Sequence, residues 1–206
     1  MGKPTLEFWY DFASTYSYLS AMRIKPLAER AGVEVLHRPF LLGPIFKAQG
    51  WASSPFNVYP AKGRYMIRDM ERLAAERGLV FHSSDPFPQN SLGAARVALV
   101  ALEEGWIGQF TPELFKLEFG ERCDISAAST LEQAVRRAGE KSELSLDFAR
   151  VFERSGADDI KRRLRAQTEA AAVAQIFGAP TFRTADGELF WGDDRLDQAV
   201  VWARKL

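Results

Sequence analysis

Ser14 and Ser17 carry the first chemical signal of this chain. They sit in DFASTYSYL, Asp11 to Leu19, between an apolar run, TLEFWY, and a segment with helical spacing. A strand therefore hands over to a helix N-terminus at Ser14. A Cys-x-x-Cys pair at such a handover would cycle between dithiol and disulfide. Here hydroxyls stand at that spacing, and the sole cysteine, Cys123, allows no intrachain disulfide. Any thiol chemistry must borrow its sulfur from outside. The Ser14 hydroxyl has two uses at such a position. It can cap the helix by accepting from a free first-turn amide, worth about 1 kcal/mol over alanine. It can also donate to a bound thiolate, where the helix dipole and unpaired amides already favour negative charge. A nucleophilic serine needs an adjacent base, and neither of the two histidines, His37 and His82, has a context that marks it as one.

Other stretches bear on the same chemistry. In GAPTF, Gly178 to Phe182, a proline stands between a helix and a strand. The Ala179–Pro180 bond is either an ordinary trans loop bond or a cis turn. In the cis form the amide and carbonyl of Ala179 become free to pair with an extended peptide. In WGDDR, Asp193 and Asp194 offer a helix cap and a carboxylate suited to an ammonium group. Lys62, in SPFNVYPAKG, is either a solvated lysine or a cation for a carboxylate.

The elements that must position these residues follow from periodicity. Thr5 to Tyr10 reads as a strand covered on both faces, followed by a helix over about Thr15 to Ala31 with Leu19, Met22, Leu27 and Ala31 inward. Pro26 predicts a kink and Gly32 a stop. VEVLHRPFLL is a second strand, parallel to the first through a right-handed crossover. GPIFKAQGWASSPFNVYPAKG reads as loop or short turns. Helices are expected in RYMIRDMERLAAERG, in NSLGAARVALVALEEG from Asn90 or Ser91, in FTPELFKLEFG with Thr111 as N-cap and Pro112 first, and in STLEQAVRRAG and LSLDFARVFERSG. DDIKRRLRAQTEAAAVAQIFG is a long helix ending at Gly178, FRT and ELFW flank an Asp-Gly hairpin turn, and the last helix buries Leu196, Ala199, Val200 and Ala203. This order predicts an α/β, thioredoxin-like fold with a large all-helical domain inserted after the second strand. Its parts are residues 1–42 and 158–206 for the thioredoxin-like domain and 43–157 for the insertion.

Composition narrows the function. The 206 residues can bury a sizeable core, and Lys plus Arg equals Asp plus Glu at 27 each. Without a net basic charge the chain has no footprint for a nucleic-acid or anionic-membrane partner. No run is long enough to span a bilayer, and MGKPTLEFWYDF lacks the apolar core of a secretory signal, which points to the cytoplasm. No metal-ligating set is assigned.

DFASTYSYL, SPFNVYPAKGRYMIRDMER, FPQNSLGAAR, GAPTF and WGDDRLD, in this order, resemble the 2-hydroxychromene-2-carboxylate isomerase family and its relative, the kappa-class glutathione transferases. The similarity runs through essentially the whole chain. It implies glutathione as cofactor, a small aromatic carboxylate as substrate and a homodimer. Carried across, Ser14 contacts the glutathione sulfur and the Ala179 backbone beside Pro180 pairs with its cysteinyl main chain. Asp194, with Asp193, takes the γ-glutamyl ammonium, and Lys62 meets a carboxylate end. Tyr16, Trp51, Asn57 and Asn90 fall to the substrate side. Phe12, Phe56, Tyr59 and Phe87 lie in or near the same motifs, and a minority of these aromatics is expected to line the pocket, with Lys62 or Arg64 for the substrate carboxylate. Thr15 stands where the family often has proline, and Asp193 where the transferase branch tends to carry serine. The implied reaction is reversible opening of a cyclic hemiketal carboxylate to trans-o-hydroxybenzylidenepyruvate. Two rivals stay open: a kappa-like transferase that releases a glutathione conjugate, and a non-catalytic thioredoxin-fold binding module in which Ser14 only caps a helix.

Overall fold

The computed structural model describes residues 2–206. At its centre is a mixed sheet of strand order β2-β1-β3-β4. The first strand, β1 (Thr5–Tyr10), alternates its side chains between two apolar layers, as a fully covered strand must. Leu6, Phe8 and Tyr10 enter the main core, while Trp9 joins Phe40, Ile45, Ala171 and Ile176 on the other side. Next comes α1 (Thr15–Ala31), which Ser14 caps and Gly32 ends in the left-handed conformation at φ 72°. β2 (Glu34–Pro39) then pairs parallel with β1, Thr5 opposite Glu34 and Tyr10 opposite Pro39.

A block of helices follows: α2 (Leu42–Ala48), α3 (Pro55–Val58), α4 (Pro60–Glu76), α5 (Leu92–Glu103), α6 (Ile107–Phe115) with a π-helical turn over Lys116–Gly120, α7 (Ala128–Ser142) and α8 (Phe148–Ser155). The chain returns through α9 (Asp158–Val173) to β3 (Thr181–Thr184), antiparallel to β1, and β4 (Leu189–Trp191), antiparallel to β3. A 3-10 turn, Asp193–Arg195, leads into α10 (Leu196–Ala203). α1 and α10 pack on each other and on the sheet, and α9 brings Ala171 to the Trp9 side. The main buried cluster runs unbroken from Leu6 and Phe8 to Leu99, Phe110, Leu131 and Val135 of the helical block. This is the thioredoxin-like architecture with its helical expansion. Among the described residues no helix is long and apolar enough to cross a membrane.

Local expectations failed in instructive places. Thr111 caps nothing: it lies inside α6, and its Oγ1 shares a hydrogen bond with Tyr10 Oη at 2.7 Å. Burying Ile107 and Phe110 outweighs the Thr-Pro start signal, and the helix carries Pro112 in its interior. The second strand stops at Pro39 because Leu42 already opens α2, so the supposed loop holds α2, α3 and the start of α4. The long helix ends at Val173, with Gln175 at φ 59°, and Ile176 folds back so that its amide donates to Ala171 O at 2.9 Å. In α1 the fully buried face is Leu19, Ile24 and Ala28, whereas Met22, Leu27 and Ala31 are half-buried. Neither Asp193 nor Asp194 makes a side-chain cap, whereas the apolar stripe of α10 is buried as expected.

Candidate active site

The strand-to-helix handover brings Ser14 against the far end of the chain. Its backbone is extended (φ −93°, ψ 114°), its Oγ accepts from Ser17 N at 3.3 Å, and the same Oγ donates to the carbonyl of Ala179 at 2.9 Å. The cap therefore does not exhaust the hydroxyl. Its one proton is spent on a backbone carbonyl beside a peptide bond, Ala179–Pro180, that is cis. The expectation that a cis bond frees both polar groups of Ala179 holds for the amide, which meets no protein acceptor among the described residues. It fails for the carbonyl, which Ser14 occupies.

Beneath Ser14 lies Asp11, a residue the sequence did not single out. Its Oδ1 accepts from Ala13 N at 3.0 Å and Ser91 Oγ at 2.6 Å, its Oδ2 from Leu42 N at 2.7 Å, and its carbonyl from Ser14 N at 3.0 Å. One buried side chain thus ties the Ser14 loop to the starts of α2 and α5. Burial pushes the Asp11 carboxyl above its usual range, although the three donors pull the other way.

These elements enclose a cleft of about 1260 Å³. Ser14, Tyr16, Trp51, Lys62, Asn90, Ala179, Asp193 and Asp194 all border it, whereas Asn57, Arg64 and Pro180 do not. Asn57 instead donates to Phe87 O at 2.9 Å and to Ser53 Oγ at 3.1 Å, pinning the loop, and Pro180 accepts from Gly192 N at 2.9 Å. Asn90 uses its Oδ1 on Leu92 N at 3.1 Å. Of the aromatics, Tyr16, Trp51, Phe56 and Phe87 line the wall, more than the minority expected. Phe12 belongs to the core against Phe115, and Tyr59 is exposed outside the cleft. Phe56 touches both Tyr16 and Phe87, each with ring centroids 6.5 Å apart, and Lys62 Nζ lies 5.9 Å above it. Lys62 enters no ion pair among the described residues.

The two aspartates part company. Asp193 is buried, its Oδ1 taking Ser20 Oγ at 2.8 Å and Arg23 Nε at 3.4 Å and its Oδ2 taking Arg77 at 2.6 Å. Asp194 keeps 74% of its side chain exposed, with Arg195 Nε 3.7 Å away. Arg77 and the exposed pair Phe177–Trp191, centroids 4.8 Å apart, are further lining residues; Arg77 and Phe177 lie in no quoted motif, and Trp191 opens WGDDR but was given no role. They belong to separate segments that only the folded chain joins. The histidines stand apart, as their contexts suggested. His37 is half-buried against the core rings of Phe8 and Tyr10, its pKa lowered to about 4 by desolvation, and His82 Nδ1 meets Arg122 at 3.1 Å.

A hydroxyl at a helix N-terminus, a free amide beside a cis-proline and an aromatic wall define a thioredoxin-type site without its own thiol. The chain belongs to the DSBA-like thioredoxin domain family, which matches residues 5–200. It is 30% identical to 2-hydroxychromene-2-carboxylate isomerase of Sphingobium xenophagum over 94% of both chains. It is 24% identical to glutathione S-transferase kappa 1 of Rattus norvegicus, covering 93% of this chain and 87% of the relative. Among solved structures, a 2-hydroxychromene-2-carboxylate isomerase superposes with a TM-score of 0.82 at 23% identity, covering 98% of this chain and 95% of the other. The similarity covers the full set of elements that build the cleft.

Proposed function

We propose that this protein is a cytoplasmic, homodimeric, glutathione-dependent isomerase that interconverts 2-hydroxychromene-2-carboxylate, or a related aromatic carboxylate, with its open trans-benzylidenepyruvate form. The observation that carries the reading is the 2.9 Å contact between Ser14 Oγ and Ala179 O, which joins a hydroxyl donor and an extended-peptide station in one cleft. The chain's residues fit the tripeptide. Ala179 N is a free donor, Asp194 an exposed carboxylate for the γ-glutamyl ammonium, and Lys62 a cation for a terminal carboxylate. Asp193, enclosed by Ser20, Arg23 and Arg77, holds the backbone of this station rather than the ammonium itself.

Held by Ser14, Ala179, Asp194 and Lys62, bound glutathione would supply a thiolate nucleophile whose reversible addition to a conjugated double bond would allow that bond to rotate. Ser14 prepares this by turning its hydroxyl from the Ala179 carbonyl to the sulfur. That one rotation also frees the carbonyl for the cysteinyl amide. Its energetic share is bounded: a free thiol is a few per cent ionised near neutrality, so complete ionisation gains about 30-fold. Orientation in the cleft supplies the remainder. Tyr16, Phe56, Phe87 and Trp51 take the flat ring and exclude water from it.

The kappa-class relative keeps one alternative in view, conjugation with release of the adduct. Incubation with hydroxychromene carboxylate, with and without glutathione, separates them. An isomerase gives product that depends on glutathione without consuming it. Ser14→Ala is expected to lose up to about 30-fold of that stimulated rate with its fold intact. Equal rates in both proteins reject the role of Ser14, and stoichiometric loss of glutathione assigns the transferase.

A further inference from the structure

Tyr16 and Asp69 form a pair inside the same cleft whose hydrogen bonding is one-sided. Tyr16 stands in the first turn of α1, just past Ser14, and Asp69 faces it from α4. Tyr16 Oη donates to Asp69 Oδ2 at 2.9 Å, and the other oxygen, Oδ1, accepts from Arg72 at 2.9 Å. A phenol has one proton. With that proton committed to Asp69, Tyr16 presents only an acceptor lone pair to the cleft, and among the described residues no other donor reaches it. A ligand atom that completes this site must carry a hydrogen. Burial, and then the Asp69 carboxylate, hold the Tyr16 hydroxyl protonated well beyond the usual tyrosine range, so the pair enters the reaction as a neutral phenol on an acceptor. The ring of Phe56 packs against Tyr16 on the same wall of the cleft, with ring centroids 6.5 Å apart.

We infer that Tyr16, aimed by Asp69, is the group that takes the phenol proton of the open substrate as the ring closes, and that through it the cleft distinguishes a ligand bearing that hydroxyl from one lacking it. This rests on the isomerase reading above. In the ring-closing direction an electron pair of the phenol oxygen forms the ring C–O bond to the keto carbon, and the C=O π pair moves onto the keto oxygen. The phenol proton passes to Tyr16 Oη and the tyrosine proton to Asp69 Oδ2. The former keto oxygen takes a proton from water, and Asp69 returns its proton to solvent, so no proton is gained or lost overall. Tyr16 is the catalytic residue here, and Asp69 positions it and receives its proton.

Two measurements test this. The first needs no turnover: calorimetric binding, without glutathione, of 4-(2-hydroxyphenyl)-2-oxobutanoate and of 4-phenyl-2-oxobutanoate, saturated analogues that lack the double bond to be isomerised. Wild type should prefer the hydroxylated analogue by about fivefold to tenfold, the worth of one hydrogen bond, and Tyr16→Phe should lose that preference. The second compares the steady-state kinetics of wild type, Tyr16→Phe, Asp69→Asn and Asp69→Glu. In Tyr16→Phe and Asp69→Asn, kcat on hydroxychromene carboxylate should fall by about 100-fold, the lower range for a lost proton-transfer group, with glutathione binding unchanged. Isomerisation of cis-benzylidenepyruvate without the ring hydroxyl should fall by a much smaller factor in both, so that the loss tracks the hydroxyl. Asp69→Glu should recover part of the lost kcat, which a purely structural role for Asp69 would not give. An analogue preference that survives in Tyr16→Phe overturns the inference even if Ser14 and glutathione behave as proposed. A failure of glutathione to stimulate turnover strikes the isomerase reading instead, and the analogue preference still decides what Tyr16 recognises.

Discussion

Ser14 makes two hydrogen bonds with one oxygen, so alanine there removes a helix cap and a cross-chain contact together. The cap sets the scale of the stability loss at about 1 kcal/mol in urea unfolding, small beside the activity loss expected of the same variant. A loss of stability large enough to unfold the protein would mean that Ser14 is a scaffold residue first. Two desolvated titrating groups make stability depend on pH in opposite directions. His37 has its pKa lowered to about 4 by burial from a usual 6.5, so the unfolded chain binds its proton first. Stability is therefore lost as pH falls from 6.5 toward 4, by about 3 kcal/mol at most. His37→Gln should flatten that acid limb, and an unchanged limb would assign it to other groups. Glu118 is fully buried in the π-helical turn, and neither carboxylate oxygen has a hydrogen-bond partner among the described residues. Burial, with Asp11 and Asp124 adding repulsion, holds its carboxyl well above the usual value of 4.5. The folded chain keeps this proton longer than the unfolded one, so the contribution is complete below 4.5 and is lost as pH rises toward the folded value. Glu118→Gln should match wild type in acid and exceed it at about pH 8. Wild type keeping pace with the variant at both pH values would show that Glu118 is not held protonated.

At the scale of elements, the wall opposite Ser14 depends on how closely α3 approaches α4. A Cβ placed on Gly63 would stand 2.3 Å from the backbone carbonyl oxygen of Phe56, a contact that no rotamer relieves. Gly63→Ala should cost about 1–3 kcal/mol and push Phe56 and Lys62 out of register, raising the substrate KM more than it lowers kcat. An alanine variant with native stability and native KM would show that α3 yields freely. Which elements the sequence announced follows from how local their causes are. Gly32, the Asp-Gly hairpin turn and the dense apolar run of β1 act within a few residues, and each was legible. Thr111 misled because its hydroxyl is taken by Tyr10, a partner 101 positions away, and its helix start is decided by burial of Ile107 and Phe110. The α2 and α3 helices were hidden among glycines and prolines whose turn signals are real but too weak against the packing of Ile45 and Pro55.

For the whole molecule, element order alone pointed to the thioredoxin-like arrangement, because strand-helix-strand, helical block, helix, hairpin and helix admit few packings. The site was legible only in part. Ser14, Lys62, Ala179 and Asp194 sit in recognisable motifs, but Asp11, Asp69 and Arg77 matter through partners distant in sequence, such as Leu42, Tyr16 and Asp193. Nor does spacing reveal that the Asp193 carboxylate is consumed by two arginines while its neighbour stays exposed beside Arg195. The proposed homodimer is checked by sedimentation equilibrium, with a mass of twice 23.1 kDa expected and a monomer across the working range counting against it. The most direct measurement is a crystal structure with glutathione bound. The sulfur is expected within hydrogen-bond reach of Ser14 Oγ, with the cysteinyl main chain paired to Ala179. A tripeptide bound with its sulfur away from Ser14, and Ser14 still donating to the Ala179 carbonyl, would contradict the proposed mechanism at its root.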